Sequence, residues 1–255
     1  MENKLEELDK SLVREDETLD DLQLNGLHII QKKQGFRFGV DAVLLATFAN
    51  IKRNHTIIDL CTGTGIIPLI CYGKKIPKYI MGLEIQQEFA EMANRSVEIN
   101  KLTGKIDFIC GDLKDKNLLK TLPKFDVVTV NPPYKLYNAG ILNELDKKTI
   151  ARHEVMCNLE DVIASSRILL KDNGRLYIVH RPERLADIFC LMRKYKIEPK
   201  RVRMVHPNTK KASNIVLVEG QRDGGAYLKW EAPLYVYNDK GGYSEEINKI
   251  YGRGE

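Results

Sequence analysis

Between Thr56 and Val130 the sequence repeats one pattern: a short apolar, β-branched run, a turn, then a longer stretch with helical character. The runs Thr56–Leu60, Tyr79–Leu83, Ile106–Cys110 and Phe125–Val130 are five or six residues each, the length of buried strands. Helices are expected between them over Ile66–Tyr72, Gln86–Asn100 and, more loosely, Leu113–Leu122. After an irregular stretch the pattern resumes, with a helix near Leu159–Leu170, a strand at Arg175–Val179 and a helix over Glu183–Tyr195. Two last strands are expected at Arg201–Val205 and Ile215–Glu219, and Tyr227–Tyr237 reads as an added hairpin. Strands and helices taking turns specify an α/β fold: one doubly wound, mostly parallel sheet of seven strands, not two domains.

The flanks are less regular. Residues 1–21 carry nine acids against three bases, with Leu5, Leu8 and Leu12 at helical spacing. They read as an acidic extension, a short amphipathic helix or a frayed tail, with the main domain spanning residues 22–255. Leu22–Phe38 is hairpin-like around the turn pair Asn25-Gly26, and Asp41–Asn50 reads as a buried helix. With the acidic segment set aside, the rest of the chain has a net charge of +11, which suits a polyanionic partner. The five cysteines are scattered with no Cys-x-x-Cys pair, so neither a disulfide framework nor a metal site is expected. No apolar run approaches a membrane span and the start is polar, so the reading is a cytoplasmic protein with no membrane partner. A monomer is favoured.

Chemistry concentrates where strands end. Phe125–Val130 runs into Asn131-Pro132-Pro133-Tyr134. Two prolines cannot extend a sheet, having no N–H to donate, but they make a stiff turn at the strand's carboxyl end, where open α/β sheets bind ligands. There the Asn131 carboxamide and the Pro132 carbonyl can accept from one bound amino group, with Tyr134 beside them. Upstream, Asp59-Leu60-Cys61-Thr62-Gly63-Thr64-Gly65 joins a strand to a helix, and its two glycines let a ligand lie on bare backbone. Glu84 ends the next strand, 21 residues beyond Gly63, placed to take ribose hydroxyls. A dinucleotide fingerprint would need a third glycine at position 68, where Pro68 stands. Asp112, after the third strand, is placed to accept from an adenine amino group.

Asn-Pro-Pro-Tyr after an apolar strand resembles the signature of S-adenosylmethionine-dependent methyltransferases that act on planar amino groups, both N(6)-adenine and protein-glutamine enzymes. From Phe36 to Glu219 the chain is similar to class I, Rossmann-like methyltransferases. That resemblance implies S-adenosylmethionine as cofactor, with Asp59, Gly63 and Gly65 meeting its methionine and ribose portions. It also implies Glu84 on the ribose, Asp112 on the adenine, and Asn131 lining the same pocket. Phe38-Gly39-Val40-Asp41 matches the segment that lines the cofactor pocket in this group, and Cys61 stands where many relatives carry glycine. More narrowly, Gly35–Ala46, Ala151-Arg152-His153-Glu154 and Val205-His206-Pro207 resemble the bacterial tRNA1(Val) adenine-37 N(6)-methyltransferases, which implies methylation of an anticodon-loop adenosine.

An adenine amine is a poor nucleophile because its lone pair is delocalised into the ring. Acceptors at Asn131 and Pro132 would bias the nitrogen toward tetrahedral, and Tyr134 would stack on the base. No general base is assigned, and His153 and Glu154 are kept off the catalytic set. Residues 193–211 hold eight bases and one acid, which makes Arg201, Arg203, His206, Lys210 and Lys211 candidates for RNA contact. Two other readings stay open: a methyltransferase for protein glutamine or another planar amine, and a non-catalytic cofactor-binding RNA assembly factor.

Overall fold

The computed structural model describes residues 8–34, 37–133 and 157–253 of the chain. The expected alternation is present as β3 (Thr56–Leu60), α2 (Ile66–Lys75), β4 (Tyr79–Glu84), α3 (Gln87–Ile99), β5 (Ile106–Cys110), α4 (Lys116–Thr121) and β6 (Phe125–Val130). It continues with α5 (Leu159–Leu169), β7 (Leu170–His180), α6 (Leu185–Lys194), β8 (Ile197–His206) and β9 (Ile215–Arg222). Ahead of it stands α1 (Val40–Phe48). These seven strands lie in the order β8-β9-β7-β6-β3-β4-β5, all parallel except β9, which runs antiparallel to both neighbours.

The strands read as continuous apolar runs because both faces of the sheet are covered. Successive residues go to opposite sides: Ile57 and Val127 join one core with α1 and α2, whereas Ile58, Leu60, Val128 and Val130 join the other with α5 and α6. Helix α5 starts on a capping box, in which Asn158 accepts from the Asp161 N–H and Asp161 accepts from the Asn158 N–H.

Three expectations at the flanks need correction. The hairpin does turn at Asn25 and Gly26, both at positive φ (52° and 71°). Its first strand, however, is β1 (Glu17–Asp21), inside the acidic segment, paired with β2 (His28–Lys32). A boundary at 21/22 therefore cuts the hairpin. Where a helix or frayed tail was expected, the described part, from residue 8 on, holds a 3-10 turn at Lys10–Leu12, and Leu5 lies outside the described residues. At the far edge, β10 (Lys229–Trp230) and β11 (Leu234–Tyr235) each pair parallel with β8 and not with one another, so the added hairpin expected there is two separate edge strands, the eighth and ninth of the sheet among the described residues. The chain closes with α7 (Glu245–Ile250).

Acid-rich β1 is held because one of its acids is an internal partner. The Glu17 side chain is fully buried and takes the Arg95 guanidinium of α3 in two bonds of 2.6 and 2.7 Å, while the Arg14 N–H donates to it at 2.9 Å. Burial pushes the Glu17 carboxyl up, but these donors outweigh it and hold it below the ordinary value. Arg95→Ala would leave a buried, unpaired carboxylate, a loss of about 3 kcal/mol or more. Thermal denaturation should show a midpoint lowered by roughly 6 °C or more. Adding Glu17→Leu should recover most of it; an unchanged midpoint in the single variant would mean that the hairpin docks by other contacts.

Candidate active site

The site is built on the carboxyl ends of β3, β4 and β6. Asp59, one residue before the end of β3, is wholly buried. Its Oδ2 accepts the Thr62 hydroxyl and its Oδ1 the Thr129 hydroxyl of β6, both at 2.6 Å. Burial dominates its titration and pushes the carboxyl up to about 7, against the opposing effect of Thr129 and Thr62. Asp59 thus serves as an internal brace. With no exposed surface and both oxygens engaged, it fixes the loop from beneath and ties it to the strand that carries Asn131.

That loop needs left-handed backbone at three places: Cys61 (φ 54°), Gly63 (φ 56°) and Gly65 (φ 82°). A cysteine in that backbone conformation is strained. Gly65 is doubly required, since a Cβ there would stand 2.4 Å from the Phe108 ring. Gly63 faces open space, with nothing within 4 Å of where its Cβ would be. Its N–H donates to Glu84 Oε2 at 2.8 Å, and the Gln86 N–H donates to Oε1 at 3.0 Å. Glu84 is buried and holds the loop from the end of the neighbouring strand. Cys61 also lies against Cys157, and that contact together with burial raises the Cys61 thiol well above its ordinary range.

Asp112 follows β5 on the same rim, partly exposed, with Oδ1 accepting the Lys114 N–H at 2.8 Å. Phe38 is half-buried against the core, and Gly39 caps α1. Asp41, in the first turn of α1, has its carboxyl raised by burial and partly restored by the charge of Arg181 at the end of β7.

Asn131 leaves β6 between two neighbours: Leu60 and Ile178 flank Val130 in register. Adjacent strands are ~4.8 Å apart, so Asn131 is one strand-width from the start of the glycine loop. Pro132 is buried, and Asn131 and Pro133 are half-buried. Tyr134, His153 and Glu154 lie outside the described residues.

Two features of the site escape a reading of the sequence. The Thr62–Asp59–Thr129 brace joins positions 70 residues apart and has no local signature. His180 and Arg181 sit on the same rim because β7 runs past the expected end at Val179. His180 is buried, accepts the Arg181 N–H at 2.8 Å, and is pushed down to about 4, chiefly by burial and then by Arg184, so the ring is neutral at pH 7. The one signal available was that His180 and Arg181 directly follow a strand aligned with β6.

The basic segment is mostly committed internally. Arg201 donates to Glu219 (2.7 Å), Glu231 (3.2 Å) and the Phe48 carbonyl (2.6 Å), and lies 3.8 Å from the centre of the Phe48 ring. Arg203 grips Glu246 through two bonds of 2.6 and 2.8 Å. Neither is free to meet a phosphate, contrary to expectation, because β8 lies alongside acids of β9, the β10–β11 edge and α7. His206 Nδ1 donates to the Lys211 carbonyl at 2.9 Å. Lys210 and Lys211 make no ion pair among the described residues and remain as candidates.

A sheet wound in this order, with a single antiparallel strand near one edge and its ligand-facing loops along one rim, defines a class: the Rossmann-like methyltransferases. The family model "Methyltransferase small domain" matches residues 38–189, and the chain belongs to that family. It is a methyltransferase, and its cofactor is S-adenosylmethionine. The chain is 28% identical over 222 residues to the tRNA1(Val) (adenine(37)-N6)-methyltransferase of Porphyromonas gingivalis, covering 84% of this chain and 86% of that one. It is 30% identical over 156 residues to the enzyme of the same name from Bacteroides thetaiotaomicron, covering 61% and 63%. Among solved structures, a predicted O-methyltransferase from Agrobacterium tumefaciens superposes with a TM-score of 0.67 at 23% identity, over 84% of this chain and 97% of that one. Methanocaldococcus jannaschii Trm5 in complex with adenosine superposes at 0.56 and 15% identity, over 82% and 56%.

The Asp59 brace predicts a pH dependence. Unfolded, the carboxyl titrates near ~3.9; folded, it holds its proton to about 7. Its contribution is complete below pH ~4, falls as pH rises toward 7, and is flat above, spanning about 4 kcal/mol at most. Asp59→Asn carries no proton to lose. Denaturant titrations from pH 5 to 8 should show the wild type losing stability relative to this variant; parallel profiles would remove the buried acid from the account.

Proposed function

We propose that the protein transfers a methyl group from S-adenosylmethionine to the exocyclic amine of an adenine in RNA, with the anticodon loop of a tRNA as its target. The observation that carries this reading is Asn131-Pro132 at the end of β6, one strand from the glycine loop and tied to it through Thr129 and Asp59. The relatives in Porphyromonas and Bacteroides bear the same activity in their names and support the choice of RNA. Such an enzyme would work in the cytoplasm, and we infer a single chain as the working unit.

The residues present fit the cofactor. Gly63 offers bare backbone toward open space, and each Glu84 oxygen, with one N–H bond made, keeps a lone pair for a ribose hydroxyl. Gly65 keeps the turn tight, Asp112 would accept from the adenine, and Phe38, Gly39 and Asp41 would border the pocket at the start of α1. When bound, S-adenosylmethionine supplies an electrophilic sulfonium methyl.

The chain's own part is orientation. The Asn131 carboxamide oxygen and the Pro132 carbonyl accept the two N–H bonds of the target amine, which draws its lone pair out of conjugation and aims it at the methyl. As positive charge develops on nitrogen, both hydrogen bonds strengthen, so they stabilise the transition state more than the bound substrate. The methylated nitrogen is strongly acidic and gives its proton to solvent. Neutral His180 brings no opposing positive charge to the same rim. Tyr134 is assigned the stacking face for the base.

Asn131→Ala should leave binding of cofactor and RNA nearly intact and lower single-turnover methylation by about 10²–10³; a near wild-type rate would reduce the motif to a turn. Glu84→Ala removes a ribose acceptor and the partner of the Gly63 N–H. Calorimetry should show cofactor binding weaker by ~1–3 kcal/mol, and unchanged affinity would place the cofactor elsewhere.

A further inference from the structure

Strand β8 runs parallel to β6, and β11 parallel to β8, so the loops after His206 and Tyr235 emerge on the same rim as Asn131. At ~4.8 Å per strand, β8 stands about 14 Å from β6 and β11 about 19 Å. On this outlying part of the rim the aromatic residues form a ladder. Tyr237 stacks on Tyr243 (5.4 Å between centroids, 13° between planes) and Tyr243 on Tyr251 (6.3 Å, 19°). The Arg253 guanidinium lies 5.3 Å from the Tyr251 ring and 5.9 Å from that of Tyr243. Tyr237 and Tyr243 are each 41% exposed. Beside Tyr237 opens a cavity of about 350 Å³ lined by Asn208, Lys210, Tyr237, Asn238, Asp239 and Gly241.

Most polar groups of that cavity already have work. Asn238 Oδ1 accepts the Lys240 and Gly242 N–H groups, Asn208 Oδ1 accepts the Lys210 N–H, and Asp239 accepts the Thr209 hydroxyl at 2.9 Å. They set the shape of the rim. Left available are the Tyr237 face and the Lys210 ammonium, with Lys211 and Arg253 nearby. None of these three cations has an ion-pair partner among the described residues, whereas Arg201 and Arg203 of β8 are fully engaged.

We propose that the cavity and the exposed edge of the tyrosine ladder dock an unpaired nucleotide of the RNA substrate, flanking the target adenosine and distinct from it. The proposal rests on the RNA reading above and adds where the strand is held. Aromatic faces beside uncommitted cations are how single strands are gripped: the ring takes a base, the ammonium a phosphate. The distance from Asn131 excludes the reacting base itself. A flanking nucleotide held here fixes the strand's direction along the rim, from β11 toward β6. Other exposed aromatics serve as a control, since Trp230 pairs with Val202, four residues short of the rim at His206, and Tyr227 precedes it.

The test measures binding of an unmodified tRNA transcript by fluorescence anisotropy across a salt series, with cofactor affinity and single-turnover rate at saturating RNA read in parallel. Tyr237→Leu and Tyr243→Leu keep apolar bulk and remove the ring; each should weaken RNA binding by roughly 5- to 100-fold. Cofactor affinity and the saturated rate should stay unchanged. Tyr243→Phe should bind like wild type. Lys210→Ala with Lys211→Ala should flatten the log–log salt slope by about one to two units, and Tyr227→Ala should do nothing. If the leucine variants bind within about two-fold of wild type while the wild type methylates RNA, the ladder only clamps the turn at residues 238–242 and the docking site is wrong. A loss as large in Tyr227→Ala overturns it equally. A wild type that neither binds nor methylates RNA sinks the RNA reading first, and this proposal with it.

Discussion

A single buried carboxylate decides how the two halves of the rim relate. Asp59 accepts from Thr62 on the cofactor side and from Thr129 on the strand that leads into Asn131, and its burial keeps a proton on it to about neutral pH. Glu84 adds a second tie, taking the Gly63 N–H from the next strand. Between them they fix the glycine loop against β3, β4 and β6. A transfer that relies on alignment needs that rigidity, because a misplaced donor or acceptor forfeits most of the advantage of orientation. The strain at Cys61, a left-handed cysteine, is sustained by the same surroundings.

The far half of the sheet uses charge differently from what the composition suggests. A net positive body invites the idea of a basic surface for RNA, yet the arginines of β8 are spent on Glu219, Glu231 and Glu246. They hold the edge strands and α7 onto the sheet. Among the described residues, Lys210 and Lys211 at the loop end make no ion pair, and Arg253 lies over its tyrosines. Charge that shapes the protein and charge that meets a partner are thus separated along β8, from mid-strand to rim.

The central sheet was legible because strands buried on both faces must be continuously apolar, as Thr56–Leu60 and Phe125–Val130 are, and two prolines mark where the second ends. Strand β1 was not legible: Glu-Thr-Leu-Asp-Asp looks like solvated tail unless Arg95, 78 residues on, is known to meet Glu17. Two-residue strands such as β10 and β11 are too short to leave a periodic signal, so their parallel pairing with β8 could not be foreseen. At the site, Gly63, Gly65 and Glu84 stand in the arrangement that their spacing suggested. The brace at Asp59 was not legible, because the position of a carboxylate on a strand says nothing about which hydroxyls will reach it. Arg201 fails for the same reason, since its partners come from β9, from the residue after β10 and from the end of α1.

In the proposed reaction the methyl group ends on the exocyclic nitrogen of an adenine in RNA. That outcome is tested most directly by incubating the protein with methyl-labelled S-adenosylmethionine and a mixture of unmodified tRNA and protein, then digesting each fraction and identifying the labelled product. The account predicts label in the tRNA fraction, recovered as N6-methyladenosine from a single anticodon-loop position. Label recovered on glutamine in the protein fraction, or on no acceptor at all, would contradict it.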